Sequence, residues 1–142
     1  MKNAAIVLLL LTNTAMGYSQ EWKTNLSEAF REAAASGKEV LLLFSVAENC
    51  ESCAKLEENV LQSNEFLSYA NERFVLVKQD FNAASSADKF ENLLIVEKYN
   101  KDGFFPLMVI INKNEKMVGQ LGTYNNETPK QYIAKLQSAK KS

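Results

Sequence analysis

An α/β domain, with a central mixed β-sheet flanked by helices on both faces, is the fold class this chain predicts. Three observations carry it. The apolar run without alternation at residues 40–46 (VLLLFSV) suits a strand buried on both faces. Helical and strand patterns alternate along the first part of the chain. The chain then closes with a hairpin and a last helix, an order that gives a mixed sheet with helices on each side.

Taken in order, Thr24 or Asn25 caps a helix in which Leu26, Ala29, Phe30 and Ala33 fall at helical spacing, and Gly37 ends it. The strand at 40–46 follows. Residues 50–70 are helical in pattern, with Ala54, Leu56, Val60 and Leu61 toward the core and Glu57 and Glu58 outward. Ser63 or Asn64 breaks and re-caps that helix before Phe66, Leu67 and Tyr69. A second strand is expected at 74–81 (FVLVKQDF), a loop at 82–88 (NAASSAD), and a helix at 89–99 bearing Phe90, Leu93, Leu94 and Val96. Strands at 107–112 and 116–121 flank Lys113-Asn114-Glu115 as a hairpin. Thr128 caps the last helix, with Pro129 at its first position and Tyr132, Ile133 and Leu136 on one face. No repeat, linker or low-complexity block divides the chain.

Composition narrows the chemistry. A chain of 142 residues can build a core without staples. Zero histidine removes Ser-His and Cys-His mechanisms and the common zinc and haem sites. Two cysteines cannot close a four-thiolate cage, and no resident metal or small-molecule cofactor is expected. With 16 Lys+Arg against 17 Asp+Glu, the net charge of −1 argues against binding nucleic acid or anionic lipid non-specifically.

Residues 1–17 read as a signal peptide: Lys2, an apolar run at 4–11 (AAIVLLLL), then Ala15-Met16-Gly17 as the small-x-small site. Cleavage is expected after Gly17, with Ser19 as the next choice. The run is too short to span a bilayer, so no stable membrane insertion is expected after cleavage. The mature domain, 18–142, is then periplasmic or secreted, where disulfides persist.

The chemistry falls on Cys50-Glu51-Ser52-Cys53, which follows a buried strand and opens a helix. At a helix start, unpaired N–H groups and the dipole favour a thiolate, so Cys50 is the attacking nucleophile. Cys53 lies one turn on, where it can resolve a mixed disulfide. A four-residue loop makes a poor staple, worth roughly 2 kcal/mol. Two soft sulfurs also leave Cu(I) handling open as a lesser alternative.

These features resemble the thioredoxin superfamily, and most of all its exported thioredoxin-like proteins with a C-x-x-C motif. The matching residues are the strand Val40-Leu41-Leu42-Leu43-Phe44-Ser45, Cys50 and Cys53, Lys55-Leu56-Glu57, Phe74-Val75-Leu76-Val77-Lys78, Phe105-Pro106, and Leu121-Gly122 after the hairpin. The resemblance implies a thioredoxin-like fold, a cis proline at Pro106 beside the cysteine pair, and substrate binding by the Phe105 backbone. It departs in three places. Asn49 replaces the usual aromatic residue, the central dipeptide is Glu51-Ser52, and the strand before the motif lacks the family's buried acid, carrying Leu43 and Phe44 there. Glu48 and Lys78 are the nearest charged candidates, both expected to be solvated.

Glu51 opposes the helix terminus. A carboxylate about 6 Å from a thiolate costs roughly 0.7 to 2.8 kcal/mol between ε 80 and ε 20, against about 0.3–2 kcal/mol from the terminus. A less stabilised thiolate makes a more reducing couple. The chain is therefore expected to be an exported thiol–disulfide oxidoreductase that reduces or exchanges protein disulfides through Cys50 and Cys53, with Phe105 and Pro106 shaping the docking site. Its partners would be protein substrates carrying disulfides and a dithiol electron donor, with a membrane reductase as one candidate. A thioredoxin-like binding module with an inert disulfide is the alternative.

Overall fold

The computed structural model describes residues 22–79, 81 and 86–140. The expected leader lies outside them, as does most of the expected loop at 82–88. Four strands form one sheet: β1 (Glu39–Phe44), β2 (Phe74–Lys78), β3 (Leu107–Ile111) and β4 (Met117–Leu121). Their spatial order is β2-β1-β3-β4, with β1 parallel to β2 and antiparallel to β3, and β3 antiparallel to β4. The sheet is mixed, as expected.

Alternation along the strands sends side chains to two cores. Leu41, Leu43, Leu76, Met108 and Ile110 face one side, where they meet Leu56, Val60, Leu61, Phe66, Ala70, Tyr132 and Leu136. Val40, Leu42, Phe44, Val75, Val77, Val109 and Ile111 face the other and meet Leu26, Ala29, Ala33, Ile95 and Tyr99. Five helices and the turn at Glu57–Leu61 supply those partners: α1 (Leu26–Ser36), α2 (Glu51–Leu56), α3 (Asn64–Arg73), α4 (Ser86–Tyr99) and α5 (Pro129–Ala139). Both faces of the sheet are thus covered.

The helix ends follow their capping residues. Asn25 accepts from the Glu28 N–H, and Gly37, at φ 73°, closes α1 in the left-handed conformation that glycine takes without penalty. Thr128 and Gln131 form a reciprocal capping box at α5, with Pro129 at its start. Between α2 and α3 the chain makes a π-helical turn, Glu57–Leu61, in which the Gln62 N–H reaches back to the Glu57 carbonyl at 3.2 Å. Ser63 then re-caps the chain for α3 by accepting from the Phe66 N–H.

Several boundaries and faces differ from expectation. β1 ends at Phe44 rather than at residue 46, and β2 stops at Lys78, whose pairing with Leu43 is the last of the parallel ladder. α4 begins at Ser86, three residues early. Its Phe90, Leu93 and Leu94 are exposed, and Asn92, Ile95 and Tyr99 are the buried positions. Ala54 is exposed while Cys53 and Leu56 turn inward, and Glu57 is half-buried instead of facing water. No helix among the described residues is long and apolar enough to cross a membrane.

Candidate functional site

The site sits where β1 hands over to α2. Asn49 takes φ 56°, a left-handed conformation that asparagine tolerates better than most residues. That turn sets Cys50 at the N-cap of α2, where its carbonyl accepts from the Ala54 N–H at 3.2 Å. Its sulfur accepts from the Cys53 N–H at 3.2 Å, and the Ser52 hydroxyl lies 3.7 Å from it. A side-chain acceptor at this position satisfies one of the orphan donors of the first turn. Cys50 and Cys53 are joined as a disulfide.

The two sulfurs differ in access. Cys50 is half-buried and lines a surface groove of about 440 Å3 with Asn49, Glu51, Ser52, Lys55, Phe105, Tyr124 and Asn126. Cys53 is 4% exposed and lies on the inner side, lining a separate cavity of about 400 Å3. One sulfur therefore opens to the surface groove, and the other is held on the inner side.

Phe105 and Pro106 are linked by a cis peptide bond. Phe105 is exposed on the groove, whereas Pro106 is buried at the entrance to β3. Phe104, also exposed, is clamped through its backbone by Asn100, which donates to its carbonyl at 2.8 Å and accepts from its N–H at 3.0 Å.

The charges around the pair differ from the simple count. Glu51 is bonded to Lys55, one helical turn on, at 2.8 Å, and this hydrogen bond holds its carboxyl below the usual carboxylate range. Both ends are solvated, so the opposition expected from Glu51 is largely screened and neutralised. Glu48 is exposed, as expected. Lys78 is not simply solvated: its ammonium meets the Glu57 carboxylate at 2.6 Å and lies 5.1 Å from the Trp22 ring centre. Glu57 and Lys78 line the same cavity as Cys53, together with Ser45, Ala54, Gln79 and Phe81. Glu57 thus brings an acid to the Cys53 cavity from the helix side, where the strand carries none.

Tyr124 and Asn126, in the β4–α5 connection, were not anticipated as groove residues. Glu127 anchors that connection: its buried carboxylate pairs with Lys135 and accepts from the Asn125 N–H at 2.8 Å, and its carbonyl accepts from the Tyr124 hydroxyl at 2.8 Å. The Glu127-Thr128-Pro129 helix start was visible in the sequence, but no local pattern tied it to the cysteines.

Comparisons with known proteins agree with this geometry. A family model described as thioredoxin-like matches residues 21–113. The chain is 27% identical over 124 residues to "Disulfide bond reductase DsbH" of Chlamydia pneumoniae, covering 85% of this chain and 73% of that protein. It is 24% identical over 110 residues to "Thioredoxin-related protein DsbJ" of the same organism, covering 75% of this chain but 31% of the relative. Among solved structures, "DsbH Oxidoreductase" superposes with a TM-score of 0.72 at 24% identity, covering 84% of this chain and 83% of that one. A likeness at that identity speaks for the fold.

Proposed function

This chain belongs to the thioredoxin-like family, a thiol–disulfide oxidoreductase with its cysteine pair at Cys50 and Cys53, and we propose that it works after export, reducing or exchanging the disulfides of protein substrates. The single observation that carries the assignment of roles is the asymmetry of the pair. The Cys50 sulfur lies on an open groove at a helix N-cap, and the Cys53 sulfur is enclosed behind it.

In the reduced protein, the N-cap environment and the Cys53 N–H favour the Cys50 thiolate. That thiolate attacks one sulfur of the substrate disulfide. A Cys50–substrate bond forms, the substrate S–S bond breaks, and the other substrate sulfur leaves as a thiolate that takes up a proton. Cys53 then attacks the Cys50 sulfur, the mixed disulfide breaks, and the second substrate thiol departs. Two electrons move to the substrate, and the protein ends with its Cys50–Cys53 disulfide. Cys53 must give up its proton to attack, and Glu57 is the acceptor in its cavity, held there by Lys78. Phe105 and Pro106 shape the docking side of the groove. A partner dithiol, with a membrane reductase as the candidate, returns the electrons.

The reducing direction is supported by the C. pneumoniae relative described as a disulfide bond reductase. Export rests on the leader pattern at 1–17. A single-turnover experiment tests the function. Mature protein reduced and freed of reductant is mixed with a disulfide-bonded protein. The expected result is one substrate disulfide opened for each Cys50–Cys53 disulfide formed. No transfer, with both thiols remaining free, would leave the fold as a binding module.

A further inference from the structure

α4 carries more apolar surface than the fold uses. Its Ile95 and Tyr99 turn in toward the sheet, while Phe90, Leu93 and Leu94 are 64%, 62% and 49% exposed. Those three positions stand at i, i+3 and i+4 of one helix, so they form a single stripe. Among the described residues they are three of the six large hydrophobic side chains left in water, Phe104, Phe105 and Met117 being the others. A groove of about 190 Å3 opens beside Leu94, between α1 and α4, and carries the apolar surface on to Phe30. A contiguous apolar face with a charged rim marks an interaction surface.

The rim selects the partner. Lys89, Glu91, Glu97 and Lys98 cancel in charge, so the face has no net positive potential to draw it to an anionic lipid surface. Glu91 and Lys98, seven residues apart, both stand on the Leu94 side of the stripe and line the groove there. Glu91 has no ion-pair partner within the chain among the described residues. Lys98 meets Glu115 at 3.4 Å with both side chains about half exposed, a contact that water weakens. A second copy of the helix laid antiparallel sets each Glu91 against the other copy's Lys98, twice by symmetry, and each Leu93 against the other's Leu94. A parallel copy would set Glu91 beside Glu91 and Lys98 beside Lys98, which repel.

We propose that two copies of this chain pair antiparallel along α4, with Phe90, Leu93 and Leu94 buried in the seam and Glu91–Lys98 pairs on its rim. α4 packs on the face of the sheet opposite α2, so both Cys50 grooves stay open in the pair. Three side chains from each copy make a small seam beside a permanent interface, so the pair forms at high concentration and separates on dilution.

Sedimentation equilibrium of the mature protein, from about 1 μM to about 1 mM, tests the proposal. The expected result is a monomer–dimer equilibrium. Leu93→Glu, at an exposed position, gives a monomer throughout, with the rate of disulfide exchange unchanged. Glu91→Lys and Lys98→Glu each place two like-charged contacts on the rim and weaken the dimer about tenfold, and the two changes together restore it. A monomer at every concentration overturns the proposal, whether or not it floats with phosphatidylglycerol vesicles. A dimer that survives Leu93→Glu puts the seam elsewhere and overturns it too. A double variant no tighter than the single ones overturns the antiparallel pairing.

Discussion

Cys53→Ser is expected to accumulate a covalent complex between Cys50 and the substrate, while Cys50→Ser abolishes exchange. The asymmetry follows from where the sulfurs sit. Cys50, at the N-cap and on the groove, is open to an external disulfide, and Cys53, at 4% exposure, is not. Removing the nucleophile costs on the order of a thousandfold or more, because a hydroxyl at that position is not ionised at neutral pH. Removing the resolving sulfur leaves the first attack intact, since the Cys53 N–H that supports the Cys50 sulfur belongs to the backbone and survives the change. Release must then wait for an external thiol. Non-reducing gels and mass mapping of the linked peptides read the outcome. A complex formed through Cys53 in Cys50→Ser, at a rate matching that of Cys50 in Cys53→Ser, would reverse the roles.

Glu57→Gln has the second largest expected effect. In the unaltered protein the Glu57 carboxylate lines the Cys53 cavity and can take the thiol proton as Cys53 attacks. A thiol free of any partner ionises near pH 8.5, and burial pushes it higher. Without the carboxylate, the resolving step must draw on hydroxide. Its rate should fall about tenfold at neutral pH and rise about tenfold per pH unit below the thiol range. Lys78, freed of its partner, works the other way by favouring the thiolate. That charge is about one third exposed, so water screens it and the loss of the acceptor dominates. Rapid-quench measurement of mixed-disulfide release across pH 6–9 checks the slope, and Glu57→Asp should recover part of the neutral rate. A flat profile identical to that of the unaltered protein would remove Glu57 from the mechanism.

The architecture was legible where local chemistry and burial point the same way. The run at 40–46 lacks alternation because β1 lies at the sheet interior with a core on each side, and the caps at Asn25, Ser63 and Thr128 all stand where their side chains accept a backbone N–H. Strand ends were less legible, because they depend on how far the partner strand extends. α4 shows another limit. Its exposed apolar residues at 90, 93 and 94 are as many as those that pack, Ile95, Val96 and Tyr99, and the inward face is chosen by Asn92, Ile95 and Tyr99, which bond or pack across to other elements.

Within the site, the cysteine pair was evident because its two members stand three residues apart in sequence. The surrounding groups were not, since they come from elsewhere in the chain. Lys78 reaches Glu57 across 21 positions, and Asn126 joins the groove from the far side of the hairpin. Glu57 was placed outward by helical periodicity, but the π-helical turn that begins there alters the spacing on which that expectation rests. Glu51 looked like an uncompensated charge, although its partner stood four residues on.

The central claim is a Cys50–Cys53 couple that runs in the reducing direction. Its midpoint potential, read by equilibrating the mature protein in dithiol buffers of defined poise and counting free thiols, tests that claim most directly. Reductive exchange predicts a value toward thioredoxin's, at or below about −200 mV. A value near about −120 mV, that of a strong oxidant, would contradict it and make the protein a donor of disulfides.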